Sequence, residues 1–332
     1  MLYVTTRGKH DTYTEHFANQ SDRGPDGGLY LPFRMPKLEQ GDLLALQEQT
    51  FGQRVAQILN LFFAVQLTGW DVELCAGKAP VKLLSMHNRV VLMEMWHNHD
   101  QDFAYLERSL SARICEDLGD RKPTSWMRIA VRIAVLFAVY GELLANGVCS
   151  VHQSVDVSVA SGDFVAPMAA WHAREMGMPI ANIICSHSSS SVWDLIHHGE
   201  VRTDGGMPEN LERLVCATLG IEENLRYCDV CRQGRLYATR PGMLETLRQG
   251  MYASVVSAQR LKAVIPNVFN TSGHVFDPMT AMAYAGLQDY RAKTGETRAA
   301  LILSECSPVH SSGQVAAAME ISEQELLRRL GE

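Results

Sequence analysis

Several stretches of this sequence gather side chains able to move protons, bind metal or grip an anion. The densest is His97-Asn-His-Asp-Gln-Asp102, where His97, His99, Asp100 and Asp102 follow the apolar run Val90–Met95. Strand ends are where α/β sites lie, so this cluster could bind a divalent metal or supply acid–base groups. It could equally be a polar loop in which Asp100 or Asp102 caps the next helix. A second stretch, Ser161-Gly-Asp-Phe164, breaks a strand pattern just before a helical one. Its amides would face a ligand above the sheet, which suits a phosphate near Gly162. Alternatively, Gly162 only makes the turn and Asp163 only caps the helix. Ser186-His-Ser-Ser-Ser-Ser191 could grip an anion or form a solvated loop and N-cap. Cys306 has His310 as the nearest base in sequence, a single pair pointing to a nucleophile. His197-His198 before Gly199 reads as a dipole partner at a helix C-terminus. A zinc site at Cys228-x-x-Cys231 would need a second ligand pair at a recognisable spacing, and none is near.

The elements that position these groups are legible as periodicity. Val155, Val157 and Val159 alternate as a strand, and a helix follows from about Val165 with Pro167 in its first turn. Gly177 stops that helix, and Ile180–Cys185 is a strand apolar on both faces. Helices are expected at Phe51–Leu67, Phe103–Leu118, Ser125–Leu144, Val192–His198, Pro208–Leu219, Arg240–Tyr252, Ser257–Val268, Pro278–Lys293 and Ser322–Leu330, with Asp42 capping an earlier one. Ala299–Leu303 is a last parallel strand, and Asp120-Arg-Lys-Pro123 is the clearest linker. Alternating strands and helices argue an α/β fold with a mainly parallel sheet. The chain has 332 residues, 46% of them hydrophobic, which supports a large core and suggests two domains. A net charge of -7 argues against nucleic acid as main partner. No apolar run of membrane-spanning length occurs, the N-terminus carries no signal-peptide pattern, and the eight cysteines sit in apolar segments. A cytosolic protein is expected.

Taken in order, the motifs resemble threonine synthase, a pyridoxal-phosphate enzyme of fold type II. Thr5-Thr-Arg-Gly8 and Pro25-Asp-Gly-Gly-Leu-Tyr-Leu-Pro32 resemble the family's N-terminal signature. Glu94-Met-Trp-His97 resembles the strand and histidine before the cofactor lysine, and Val157–Met178 the phosphate-loop unit V-S-x-P-S-G-N-F-G. Pro208-Glu-Asn-Leu-Glu-Arg213, Tyr252-Ala-Ser-Val-Val-Ser257 and Asp277-Pro-Met-Thr-Ala281 resemble its later motifs.

Against that pattern, H-G-P-T-x-x-F-K-D lines up with His97–Tyr105, so Ala104 stands at the Schiff-base lysine position. The resemblance places the cofactor phosphate at Ser161, Gly162, Asp163 and Phe164. In that loop Asp163 replaces asparagine and Val165 replaces glycine. A carboxylate there competes with phosphate for the same N–H donors. T-A-H-P-A-K-F, near the cofactor ring, appears as Ser304–His310, and most of the small domain is missing between Phe103–Leu118 and Ser125–Leu144.

The resemblance therefore implies an α/β, fold-type-II parallel sheet flanked by helices with the small domain largely deleted. Residues 1–120 would be an N-terminal threonine-synthase-like segment and 121–332 the large sheet domain. No bound cofactor is expected, pyridoxal phosphate being the family's. The implied role is a pseudoenzyme that binds or regulates, with a small anionic or amino-acid ligand as its possible partner. An enzyme reusing the cleft for metal-assisted or other chemistry, and a lyase holding pyridoxal phosphate non-covalently, are the alternatives. Leu106, Leu110, Ile114, Leu118, Ile129, Ile133, Leu136 and Phe137 exceed what one buried face needs, which favours a homodimer.

Overall fold

The computed structural model describes residues 1–8, 11–77, 82–96, 101–119, 122–202 and 209–331. Three sheets form. β1 (Leu2–Thr5) lies between β2 (Tyr13–Thr14) and β3 (Tyr30–Pro32), both antiparallel to it. The large sheet contains β4 (Lys82–Met86), β5 (Val90–Glu94), β6 (Val155–Ala160) and β7 (Ile180–His187). β8 (Glu200–Arg202) and β9 (Leu236–Ala238) make a separate ribbon, and β10 (Met251–Val255) and β11 (Ala300–Ser304) complete the large sheet. Its order is β10-β7-β6-β11-β5-β4, parallel except for β4. Register places Ile302 opposite both Leu92 and Ser158, so β11 is central.

Strand alternation divides the core in two. Val91, Met93, Ile183 and Leu301 face one cluster, while Val90, Leu92, Ile184 and Ile302 face the other. Helices Phe51–Phe62, Phe103–Leu118, Ser125–Ala145 and Val165–Glu175 cover the first face. Helices Ala258–Ser272, Pro278–Thr294 and Ser312–Met319 cover the second. The Ser125–Ala145 helix is apolar nearly all round, as a helix sunk among others must be, with Thr124 capping it through the Met127 N–H. Gly177 has φ +112 and would place a Cβ 2.6 Å from the Leu38 carbonyl, so glycine is required where the N-terminal segment docks.

Five expectations change. The Arg240–Tyr252 segment is a short helix, Met243–Arg248, followed by β10, so two elements replace one. The Phe51 helix ends at Phe62 because Phe63 turns extended, and Asp42 sits inside its helix as the far partner of a capping box with Glu39. Since β4 and β5 belong to the large sheet, the division at residue 120 does not separate that sheet from the N-terminal segment. The apolar surplus is absorbed within the chain. Leu106, Leu110, Ile114, Ile129, Ile133, Leu136 and Phe137 are all buried and Leu118 packs against the same cluster, which removes that argument for a second copy. Residues 119–124 are the whole connection between the two helices, and Gly119 at φ +71 ends the first. Among the described residues no helix is long and apolar enough to cross a membrane.

Candidate functional site

The C-terminal ends of β6, β7, β11 and β5 converge on one edge of the sheet, where open parallel sheets build their sites. After β6 the chain turns through Ser161–Phe164 into the Val165–Glu175 helix. Ser161 is tied to the neighbouring strand end by its N–H and hydroxyl, which both donate to the Ser186 carbonyl at 2.8 and 2.9 Å. Gly162 has φ +29, and Phe164, fully buried, is held in the left-handed region at φ +65. The Phe164 N–H donates to the Ser161 carbonyl at 2.5 Å, and the Val165 N–H to Asp163 Oδ1 at 3.2 Å. Two amides of this loop therefore have internal acceptors, one of them a carboxylate.

Asp163 also begins an ion cluster that crosses the cleft. Its Oδ2 meets Arg128 at 2.9 Å, and Arg128 Nε donates to Glu107 Oε1 at 2.9 Å. One turn on, Arg132 reaches Glu107 Oε2 at 3.1 Å and pairs with Glu305, its guanidinium 4.3 Å from the Phe103 ring centre. Burial works against both arginine charges, but the carboxylates outweigh it and both pKa values rise. Two arginines thus join the Phe103–Leu118 helix, the phosphate-type loop and the end of β11. The Phe103 N–H donates to the Glu305 carbonyl at 3.0 Å, which seats half-buried Ala104 beside that strand end.

Below the cluster, Trp96 Nε1 donates to Ser304 Oγ at 3.2 Å and Thr280 Oγ1 to the same oxygen at 3.1 Å. Asp277 caps the next helix by accepting the Met279 and Thr280 amides, and burial raises its pKa against those bonds. Between these groups lies a cavity of about 170 Å³ bordered by Ala160, Ala166, Met279, Thr280, Glu305 and Cys306. Cys306 is pushed up to about 12 by burial and by Asp277, Glu305 and Asp102, so it is a neutral thiol. His310 turns to Asp102, 3.4 Å away.

Asp102 is the N-cap of the Phe103–Leu118 helix, accepting the Tyr105 N–H at 2.9 Å, whereas His97, His99 and Asp100 lie outside the described residues. Ser188–Ser190 are exposed, as a solvated loop should be, but Ser190 makes no side-chain cap. His197 and His198 lie in the last turn of the Ser191–His198 helix, His198 3.8 Å from Asp194 and His197 turned inward. Burial lowers the His197 pKa, and its Nε2 bonds the Ala253 carbonyl at 2.9 Å beside Trp193 and Tyr252. Cys228 and Cys231 lie on the Ile221–Arg232 helix and form no disulfide with each other, and no metal-type cluster occurs among the described residues. Asn210 and Arg213 were not singled out individually from the sequence. Asn210 Nδ2 holds the Asp163 carbonyl at 3.0 Å, and fully buried Arg213 bonds Asn210, the Tyr30 carbonyl and Ser125 Oγ. Their signal lay in Pro208–Arg213, whose Glu212 also clasps Thr6 and Arg7.

The family model "Threonine synthase N terminus" matches residues 2–79, the segment that Glu212 and Arg213 fasten to the loop. Human threonine synthase-like 1 is 26% identical over 189 residues, covering 50% of this chain and 24% of that protein. Mouse threonine synthase-like 2 is 23% identical over 168 residues, covering 48% and 33%. The chain thus answers to about a quarter to a third of the length of these relatives. Pyridoxal-phosphate-bound threonine synthase from Brucella melitensis superposes with a TM-score of 0.81 at 17% identity, covering 97% of this chain and 92% of that one. The chain is threonine-synthase-like. The yeast threonine synthase, at TM-score 0.80 and 15% identity over 96% of this chain and 90% of its own, has the same fold.

The residues of this threonine-synthase-like cleft do not fit pyridoxal phosphate. A phosphate on Ser161–Val165 would meet the Asp163 carboxylate and two amides already bonded inside the loop. The cavity of about 170 Å³ falls below the ~300 Å³ at which ligand pockets begin, and Glu305 projects a charge beside it.

Proposed function

We propose that this threonine-synthase-like protein has lost pyridoxal-phosphate catalysis and keeps its cleft for a binding or regulatory role. The observation that carries this reading is the Arg128–Arg132 cluster, which fills with protein charges the space between the loop and β11. Ala104 supports it. At the position matched to the Schiff-base lysine its methyl group offers no amine, and covalent cofactor chemistry needs one. The short 119–124 connection supports the further proposal that the small domain is deleted. A ligand of this cleft would be small and anionic or amino-acid-like, and cysteines that form no disulfide among the described residues suit a cytosolic setting. No oligomeric state forms part of the proposal.

The test is release of inorganic phosphate from phosphohomoserine, the substrate type the resemblance implies, with pyridoxal phosphate present. Release no faster than in a protein-free control is expected. Protein-dependent release that persists over many turnovers would overturn the reading.

A further inference from the structure

A larger cavity lies at the other end of the strands, where β5 begins. About 430 Å³ in volume, it is bordered by Asn88, Arg260, Asn267, Gln288, Asp289 and Arg291, with apolar surface from Val90 and Leu287. That size and mixture suit a small polar molecule. The charges around it do not balance. Asp289 is shared between Arg260 at 3.6 Å and the Ser254 hydroxyl at 2.9 Å. Asp156 and Glu296, which act on Arg291 from farther off, are each paired with Arg298, at 3.1 and 2.7 Å. Arg291 itself meets main-chain carbonyls, donating to Asn88 at 2.7 Å and to Arg298. Its Nε is buried without an acceptor, and Arg89 adds a further positive charge nearby. Three of the five guanidinium N–H donors are thus left over, and burial lowers the pKa. Among the described residues no carboxylate pairs with Arg291, a deficit that an incoming anion would correct.

We propose that this cavity is a binding site for a small organic anion, an oxyanion head on a polar body, with Arg291 as its charge partner. Arg260 reaches the same turn of the Pro278–Thr294 helix through Gln288 at 3.0 Å and adds a second positive charge, shared with Asp289. Asn267 and Gln288 carry amides that both donate and accept, which suits hydroxyl or amino groups on the body. The site does not depend on the reading of the cleft, since its residues lie at the opposite end of the sheet.

The experiment follows thermal unfolding of the full chain, since a ligand of the native state raises the midpoint. Malate serves as the carboxylate probe and glycerol phosphate as the phosphate probe, against chloride at matched ionic strength and against uncharged glycerol. At least one of the two anions should raise the midpoint at millimolar concentration, and glycerol should not. Arg291→Gln should weaken that binding by about tenfold or more, as expected for the loss of one charge-assisted hydrogen bond. Because Arg291 also holds the turn between β4 and β5 through the Asn88 carbonyl, the exposed Arg260 supplies a second variant. Arg260→Gln should weaken binding about two- to fivefold. No response to either anion overturns the inference, as does a response unchanged in a folded Arg291→Gln or, should that variant not fold, in Arg260→Gln. A response lost instead in Arg128→Gln would place the anion in the cleft, which overturns this inference and leaves the proposed function standing.

Discussion

Two arginine clusters flank the Ser161–Phe164 loop, and they are built on opposite principles. Arg213 is fully buried and bonds a carbonyl, an amide oxygen and a hydroxyl, with no carboxylate among those three. Burial pulls its pKa down to about 10, partly offset by Glu209, Asp22 and Glu212 farther off. Arg128 and Arg132 instead interleave with Glu107, Asp163 and Glu305, and the outer half of that cluster is open to solvent. The first joins β3, the Ser125 helix start and the loop through neutral acceptors whose geometry cannot be relaxed. The second balances charge across a cleft, and charge can be rebalanced in many ways. The difference teaches where a family pattern persists: the Pro208–Arg213 motif serves the first cluster, and the letters that diverge, Ala104, Asp163 and Glu305, sit at the second.

The largest effect should come from breaking the neutral hub. Arg213→Met abandons three buried acceptors at once and should cost about 3–5 kcal/mol in urea unfolding. A loss below 1 kcal/mol would erase the contrast between the clusters. Next is Glu107→Gln, which removes the carboxylate shared by both cleft arginines and leaves nearly buried Arg132 with Glu305 alone. About 2 kcal/mol is expected, recovered in part when Arg128→Gln is added, because that removes one of the two arginine charges left facing a neutral amide.

The scaffold side also carries a pH signature. His172 is buried between Trp126 and Trp171, and burial, with a smaller push from Arg213, lowers its pKa to about 3 from 6.5. The unfolded chain therefore binds one more proton below pH 6.5. This stability is complete above 6.5 and is lost progressively as pH falls toward 3. At pH 5 the loss is about 2 kcal/mol relative to neutrality. His172→Leu should remove that part of the slope, and parallel curves for the two proteins would contradict the assignment. The smallest effect belongs to Asp163→Asn, within about 1 kcal/mol in stability because the Arg128–Asp163 pair is half exposed.

Much of the fold was legible because β6 alternates valines with polar residues, β7 and β11 contain short apolar runs bounded by turns, and long helices announce their caps. β4 escaped because Lys82-Leu-Leu-Ser-Met86 is an edge strand with no clean alternation, and β10 because it follows a helical pattern without a strong break. In the cleft, the carboxylate at the helix start was readable from the residue type, and the structure shows Asp163 accepting the Val165 amide. The ion cluster was not readable. Two arginines one turn apart in a mostly apolar stretch of helix were its local sign, and their partners lie 21, 35 and 173 residues away. Pairings across such separations are set by topology and not by any local pattern.

The central claim is that this cleft does not hold pyridoxal phosphate on a lysine. It is tested most directly by incubating the protein with pyridoxal phosphate, reducing with borohydride and mapping the peptides. The account predicts no cofactor absorbance retained on the protein and only scattered, substoichiometric modification of surface lysines. One stoichiometric adduct on a single cleft lysine, for instance Lys82 beside Glu94 at the end of β5, would contradict it.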